Sequence, residues 1–139
     1  MARSDKYTST LAKPDFYSDF LINLDKSFLS GSLARVTNED SVKQSIRNLV
    51  LTNSGERFYD LLIGSKVNAL LFDPMDHITE NLLKDAIEET IGNYEPRAKN
   101  VDVRVTGNED TNTYAVTVVF YTINIAEQLQ LDLVLKRVR

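Results

Sequence analysis

Residues 101–135 read VDVRVTGNEDTNTYAVTVVFYTINIAEQLQLDLVL, and this stretch decides the fold. Val101, Val103 and Val105 alternate with Asp102, Arg104 and Thr106, the period-two pattern of a strand with one wet face. The polar run from Gly107 to Asn112 supplies the residues of a hairpin turn. Thr113 to Ile125, TYAVTVVFYTINI, is β-branched and aromatic. Tyr114, Val116, Val118 and Phe120 share one side, and Ala115, Val119, Tyr121 and Ile123 the other, so a central strand covered on both faces is expected. Leu129, Leu131, Leu133 and Leu135 then alternate with Gln128, Gln130, Asp132 and Val134, giving a last strand with a leucine face. Short connections between these strands make an antiparallel meander.

Upstream, the period changes to that of a helix. Ile78, Leu82 and Ala86, with Leu83, Ile87 and Ile91, predict an amphipathic helix over 76–91. Its opposite face carries Glu80, Lys84, Asp85, Glu88 and Glu89, and Gly92 is placed to stop it. An earlier helix is expected over 39–51, where Thr37-Asn38-Glu39-Asp40 gives a capping signal ahead of the stripe Val42, Ile46, Leu49 and Val50. Gly55 is positioned to provide its left-handed C-cap. Between the helices, residues 55–74 (GERFYDLLIGSKVNALLFDP) read as a loop with one or two helical turns near Val67 to Leu71, closed by Pro74. Before them, Phe16, Ser18, Phe20, Ile22 and Leu24 alternate with Tyr17, Asp19, Leu21 and Asn23, an extended segment with one mostly apolar face. Residues 1–14 are a polar tail ending at Pro14, either disordered alone or ordered by a partner. The expected fold is α+β: two main helices packed on an antiparallel, mostly C-terminal sheet, in a single domain spanning 15–139.

Composition narrows function by subtraction. The chain of 139 residues has the size of one domain and has no cysteine, which excludes disulfides, thiolate metal sites and cysteine nucleophiles. Its single histidine, His77, excludes histidine-pair metal sites and reads as a surface or capping residue. Sixteen basic against 20 acidic residues, a net charge of −4, argues against a nucleic-acid binder; the one basic run is Lys136, Arg137 and Arg139. No apolar stretch approaches a membrane span of roughly 18 residues, and the N-terminus lacks the apolar core of a signal peptide, so a cytosolic protein without membrane or nucleic-acid partners is expected. Gly55 and Gly64 form no phosphate-cradling motif, no serine sits in a nucleophile elbow, and Asn108-Glu109-Asp110 has too few oxygen ligands for a calcium loop. No cofactor or metal is called for.

One local sequence stands out: Asn93-Tyr94-Glu95-Pro96-Arg97, between the helix expected over 76–91 and the sheet. Pro96 lacks an N–H and pushes Glu95 out of the helical region, so the helix ends there. In extended chain, residues two apart project to the same side, which places a carboxylate and a guanidinium together at the helix end. Such a pair suits recognition of a complementary pair on another chain, and it equally suits solvation or local pairing. A catalytic carboxylate pair of the glycosidase kind is the alternative, but 20 acidic residues give it no specific partner. The neighbouring arginine would also lower the Glu95 pKa, where a general acid needs it raised.

The Asn-Tyr-Glu-Pro-Arg run after an amphipathic helix and before three strands resembles the gene 25-like family of contractile-tail baseplate wedge proteins. That family spans T-even-type phages and the baseplate component of type VI secretion systems. The resemblance covers about residues 40 to 139. It rests on Glu95-Pro96-Arg97 and on an upstream GxR…G pattern matched by Gly55, Arg57 and Gly64. The family commonly carries a proline shortly before that second glycine, where this chain has Leu61-Leu62. The resemblance implies a structural subunit in a virion tail baseplate, assembled in the host cytoplasm, with Tyr94, Glu95, Pro96, Arg97 and Arg57 as its partner-binding residues. It also implies that the Glu-Pro-Arg element docks on the helical core bundle of neighbouring wedge subunits, and that the β-rich part templates the first ring of tail sheath protein. Members have been labelled lysozyme-like; the resemblance with the baseplate proteins implies no enzyme.

Overall fold

The computed structural model describes residues 14–27 and 31–137; the polar tail over 1–13 and Arg139 of the basic run lie outside them. Eight elements follow in order: β1 (Ser18–Phe20), β2 (Arg35–Thr37), α1 (Asn38–Leu51), α2 (Val67–Leu70), α3 (His77–Tyr94), β3 (Ala98–Asn108), β4 (Thr113–Thr122) and β5 (Ile125–Lys136). β3, β4 and β5 form an antiparallel meander with β4 central, and β1 pairs with β2 in a small separate ribbon. The α+β architecture is therefore as the sequence predicts.

One face of the meander carries the helices. Val103 of β3, Tyr114, Val116, Val118 and Phe120 of β4, and Leu129, Leu133 and Leu135 of β5 are buried together with Val42, Ile46 and Val50 of α1 and Leu83, Ile87 and Ile91 of α3. Removing these side chains from water is the main term holding the layers together. The opposite face corrects the expectation that β4 is covered on both sides. Ala115, Thr117, Val119 and Tyr121 line an open concavity with Asp102, Arg104, Gln128 and Gln130, and among the described residues no second layer lies over them. Period two reports which residues share a face; whether anything lies on that face depends on the rest of the chain.

The helices also depart from their readings. α3 runs through Gly92 and stops at Tyr94, because Pro96, not the glycine, removes the next backbone donor and restricts Glu95. The Asp76 carboxylate caps α3 by accepting from the Thr79 N–H at 2.7 Å, and that bond, first among its causes, holds the Asp76 pKa below its ordinary value. Its buried stripe is Thr79, Leu83, Ile87, Thr90 and Ile91, so Ile78 and Leu82 are left exposed. Nor are Glu80 and Glu88 simply solvated. Their carboxylates accept from the backbone N–H groups of Gly107 (2.6 Å) and Val103 (3.3 Å), sealing part of the β3 edge.

At α1, Thr37 makes no side-chain cap, and Gly55 is not the C-cap; the helix ends at Leu51, where Thr52 turns extended and donates its N–H back to the Asn48 carbonyl at 2.9 Å. α2 is the helical turn expected inside the 55–74 loop. The N-terminal segment shows the largest inversion. Only Ser18–Phe20 is strand, Phe16, Phe20, Ile22 and Leu24 are exposed, and Tyr17 from the supposedly polar side is the residue packed against the core.

Candidate functional site

The α3 terminus is built by a turn. The Glu95 N–H still donates to the Ile91 carbonyl at 2.9 Å, and the Ala98 N–H donates to the Glu95 carbonyl at 3.1 Å, folding Pro96 and Arg97 over the helix end before β3 begins. This turn, rather than the extended chain expected from the sequence, brings the two charges together. Arg97 donates from Nε to Glu95 Oε1 at 2.6 Å and from Nη2 to Oε2 at 2.7 Å, a bidentate fork.

The two partners sit in different environments. Glu95 is 2% exposed, whereas the Arg97 side chain is 31% exposed, so the pair is not presented whole: the carboxylate is internal and the guanidinium faces out. Burial would push the Glu95 carboxyl up, but hydrogen bonds from Arg97 and from the Ser45 hydroxyl of α1, together with the adjacent positive charge, outweigh it and hold the pKa below its ordinary value. The Glu95 carboxylate in turn raises the Arg97 pKa, chiefly through their hydrogen bond. Ser45 was not singled out from the sequence, although a serine one turn from Val42, beside the apolar stripe, was the available signal.

Tyr17 completes the site, and no spacing announced it. Its ring lies under the guanidinium, with Arg97 Cζ 5.3 Å from the ring centroid, and its hydroxyl accepts from Asn124 Nδ2 at 2.9 Å in the β4–β5 turn. Asn38, buried at the start of α1 with φ +50, fixes the segment that carries Tyr17. Its Oδ1 accepts from the Phe16 N–H at 2.8 Å, its Nδ2 donates to the Pro14 carbonyl at 3.1 Å, and its own N–H donates to the Tyr17 carbonyl at 2.8 Å.

Tyr94 faces the other motif segment, donating its hydroxyl to the Leu62 carbonyl at 2.6 Å. That bond ties the α3 end to the loop holding Gly55, Arg57 and Gly64. Gly64 is required there: its φ is +141, and a Cβ would lie 2.6 Å from the Asn53 carbonyl carbon, where the chain runs back beside Asn53 and Ser54. Arg57 itself is exposed and forms no hydrogen bond or ion pair with any described residue, so the fold does not bring it to the Glu95–Arg97 pair. Beside it, Phe58 and Tyr59 are fully exposed and Leu62 is 77% exposed.

The sequence pattern of the family described as baseplate wedge protein gp25 matches residues 36–127, which include α1, the glycine loop, the Glu-Pro-Arg turn and most of the meander. The chain belongs to the gp25 baseplate wedge family. Baseplate wedge protein gp25 of Enterobacteria phage T4 is 31% identical over 90 residues, covering 65% of this chain and 68% of that protein. The gp25-family fold recurs in a crystal structure of a putative tail lysozyme from Geobacter sulfurreducens, with TM-score 0.69, 18% identity, and coverage of 75% of this chain and 95% of that one. It recurs again in the baseplate of the anti-feeding prophage, with TM-score 0.60, 19% identity, and coverage of 88% and 87%. At these identities, the two structures speak for the fold alone.

Proposed function

We propose that this gp25-family chain is a structural wedge subunit of a contractile-tail baseplate, docking on the helical core of the wedge through the Glu95-Pro96-Arg97 turn. The observation that carries this reading is the asymmetric pair: a buried carboxylate whose lone pairs are taken inside the domain, holding a guanidinium at the surface. A charge fixed in this way is pre-organised for an interface, since little side-chain entropy remains to be lost on binding. The outward Phe58, Tyr59 and Leu62, on the loop tied to Tyr94, add exposed apolar surface of the kind that partners cover.

The second half of the reading is attachment and nucleation of the tail sheath at the meander. β5 is an edge strand, and edges are where extended segments add to a sheet. The β3 edge is partly closed by Glu80 and Glu88, which favours β5 as the side for addition.

The role is not enzymatic in this reading. Glu95 is the carboxylate that a glycan hydrolase would need protonated, and Arg97 and Ser45 instead stabilise its ionised form.

The test is co-assembly with the other wedge proteins of the same tail, comparing the native chain with a Glu95→Leu/Arg97→Met double variant. Replacing both members of the pair by apolar groups of similar size leaves no orphaned charge, so folding is expected to survive. Assembly is expected to fail. A folded double variant that assembles like the native chain would refute the docking role.

A further inference from the structure

We propose that Tyr17 is a positioning residue of the docking site: it sets the plane of the Arg97 guanidinium, whose remaining N–H groups then meet acceptor oxygens on a wedge partner. The inference rests on the docking role proposed above and goes beyond it, because Tyr17 lies outside every motif of the chain and outside the matched residues 36–127.

The geometry is specific. A guanidinium has five N–H donors in one plane. Glu95 takes one from Nε and one from Nη2, and Arg97 makes no other hydrogen bond among the described residues. The donors on the far side of the fork therefore stay available, in a plane fixed along one edge by Glu95 and across one face by the Tyr17 ring at 5.3 Å. Without the ring, rotation about the last side-chain bonds is limited by the carboxylate alone. The ring is itself held from two directions, by the Asn38 clamp on residues 14–17 and by Asn124 on its hydroxyl. A buried asparagine with positive φ placed to anchor one short segment is a local cost of the kind found where position matters. Because Glu95 already neutralises the guanidinium, the partner need only offer oxygen lone pairs, as exposed carbonyls or hydroxyls do.

The experiment measures the affinity of the full chain for the purified wedge core of the same tail, with the melting temperature of each variant recorded alongside. Tyr17→Phe keeps the ring face but gives up the tie to Asn124 and is expected to bind about threefold more weakly than the native chain; Tyr17→Met keeps bulk without a ring and is expected to bind about tenfold more weakly. Native affinity in Tyr17→Met, or equal losses in the Phe and Met variants, would overturn the inference. Should the Met variant not fold, Asn124→Ala loosens the ring from an exposed position, and the expected loss is about threefold; native affinity there would overturn it equally. A native chain that does not bind the wedge core overturns the docking role itself, a result distinct from native binding that ignores Tyr17.

Discussion

Replacing Glu95 with Gln is nearly isosteric but removes the charge and turns an amide N–H₂ toward the Arg97 donors. Breaking a fully buried ion pair costs about 3–5 kcal/mol. Arg97 is 31% exposed and regains some hydration, so the expected loss at neutral pH is smaller, about 2–3 kcal/mol. An unfolding entropy of about 2.1 cal/mol/K per residue gives roughly 0.29 kcal/mol/K for 139 residues, so this loss lowers the melting temperature by about 7–10 °C. The pH dependence has a definite sign. The folded Glu95 pKa lies below its ordinary value of 4.5, so the carboxylate's contribution is complete above that value and disappears as the pH falls through the lower, folded one. Urea unfolding of the native and Gln proteins should therefore show the largest gap near neutrality and a closing gap under acid. A gap below about 1 kcal/mol at neutral pH, or one that widens on acidification, would refute the claim that the ionised Glu95 carboxylate is what compensates the Arg97 charge at the helix end.

Two further outcomes follow from the same structure. Gly64→Ala combines a backbone angle suited to glycine with a Cβ pressed against the Asn53 and Ser54 backbone, and should cost about 2–5 kcal/mol in urea unfolding, far above an ordinary loop substitution. With sheath protein of the same tail added, hydrogen exchange should slow at β5 amides and stay unchanged at Val103 and Gly107, which Glu88 and Glu80 already hold; protection appearing at β3 instead would place the added strand on the wrong edge.

The element types of this domain were legible because they depend on local terms. Valine alternation in β3, leucine alternation in β5 and the α3 stripe each announce their period within a few residues, and Pro96 ends α3 by its own ring chemistry. Faces were less legible. Ile78 and Leu82 stand on the predicted apolar side of α3 yet are exposed, while Glu80 and Glu88 on the opposite side reach across to the β3 backbone. Which apolar residues are covered depends on where the neighbouring layer stops, and long side chains extend a helix's contacts beyond its own stripe.

For the site, local sequence already places a carboxylate and a guanidinium on either side of a proline at the end of a long helix, since these are covalent neighbours with strong backbone restrictions. Their different surroundings, one buried and one at the surface, come from the tertiary fold. Packing of α1 against the α3 terminus buries Glu95 beside Ser45, and the Asn38 clamp carries Tyr17 from the far end of the chain to the face of Arg97. Desolvation and stacking are properties of surroundings assembled from distant segments, so no spacing in the sequence encodes them.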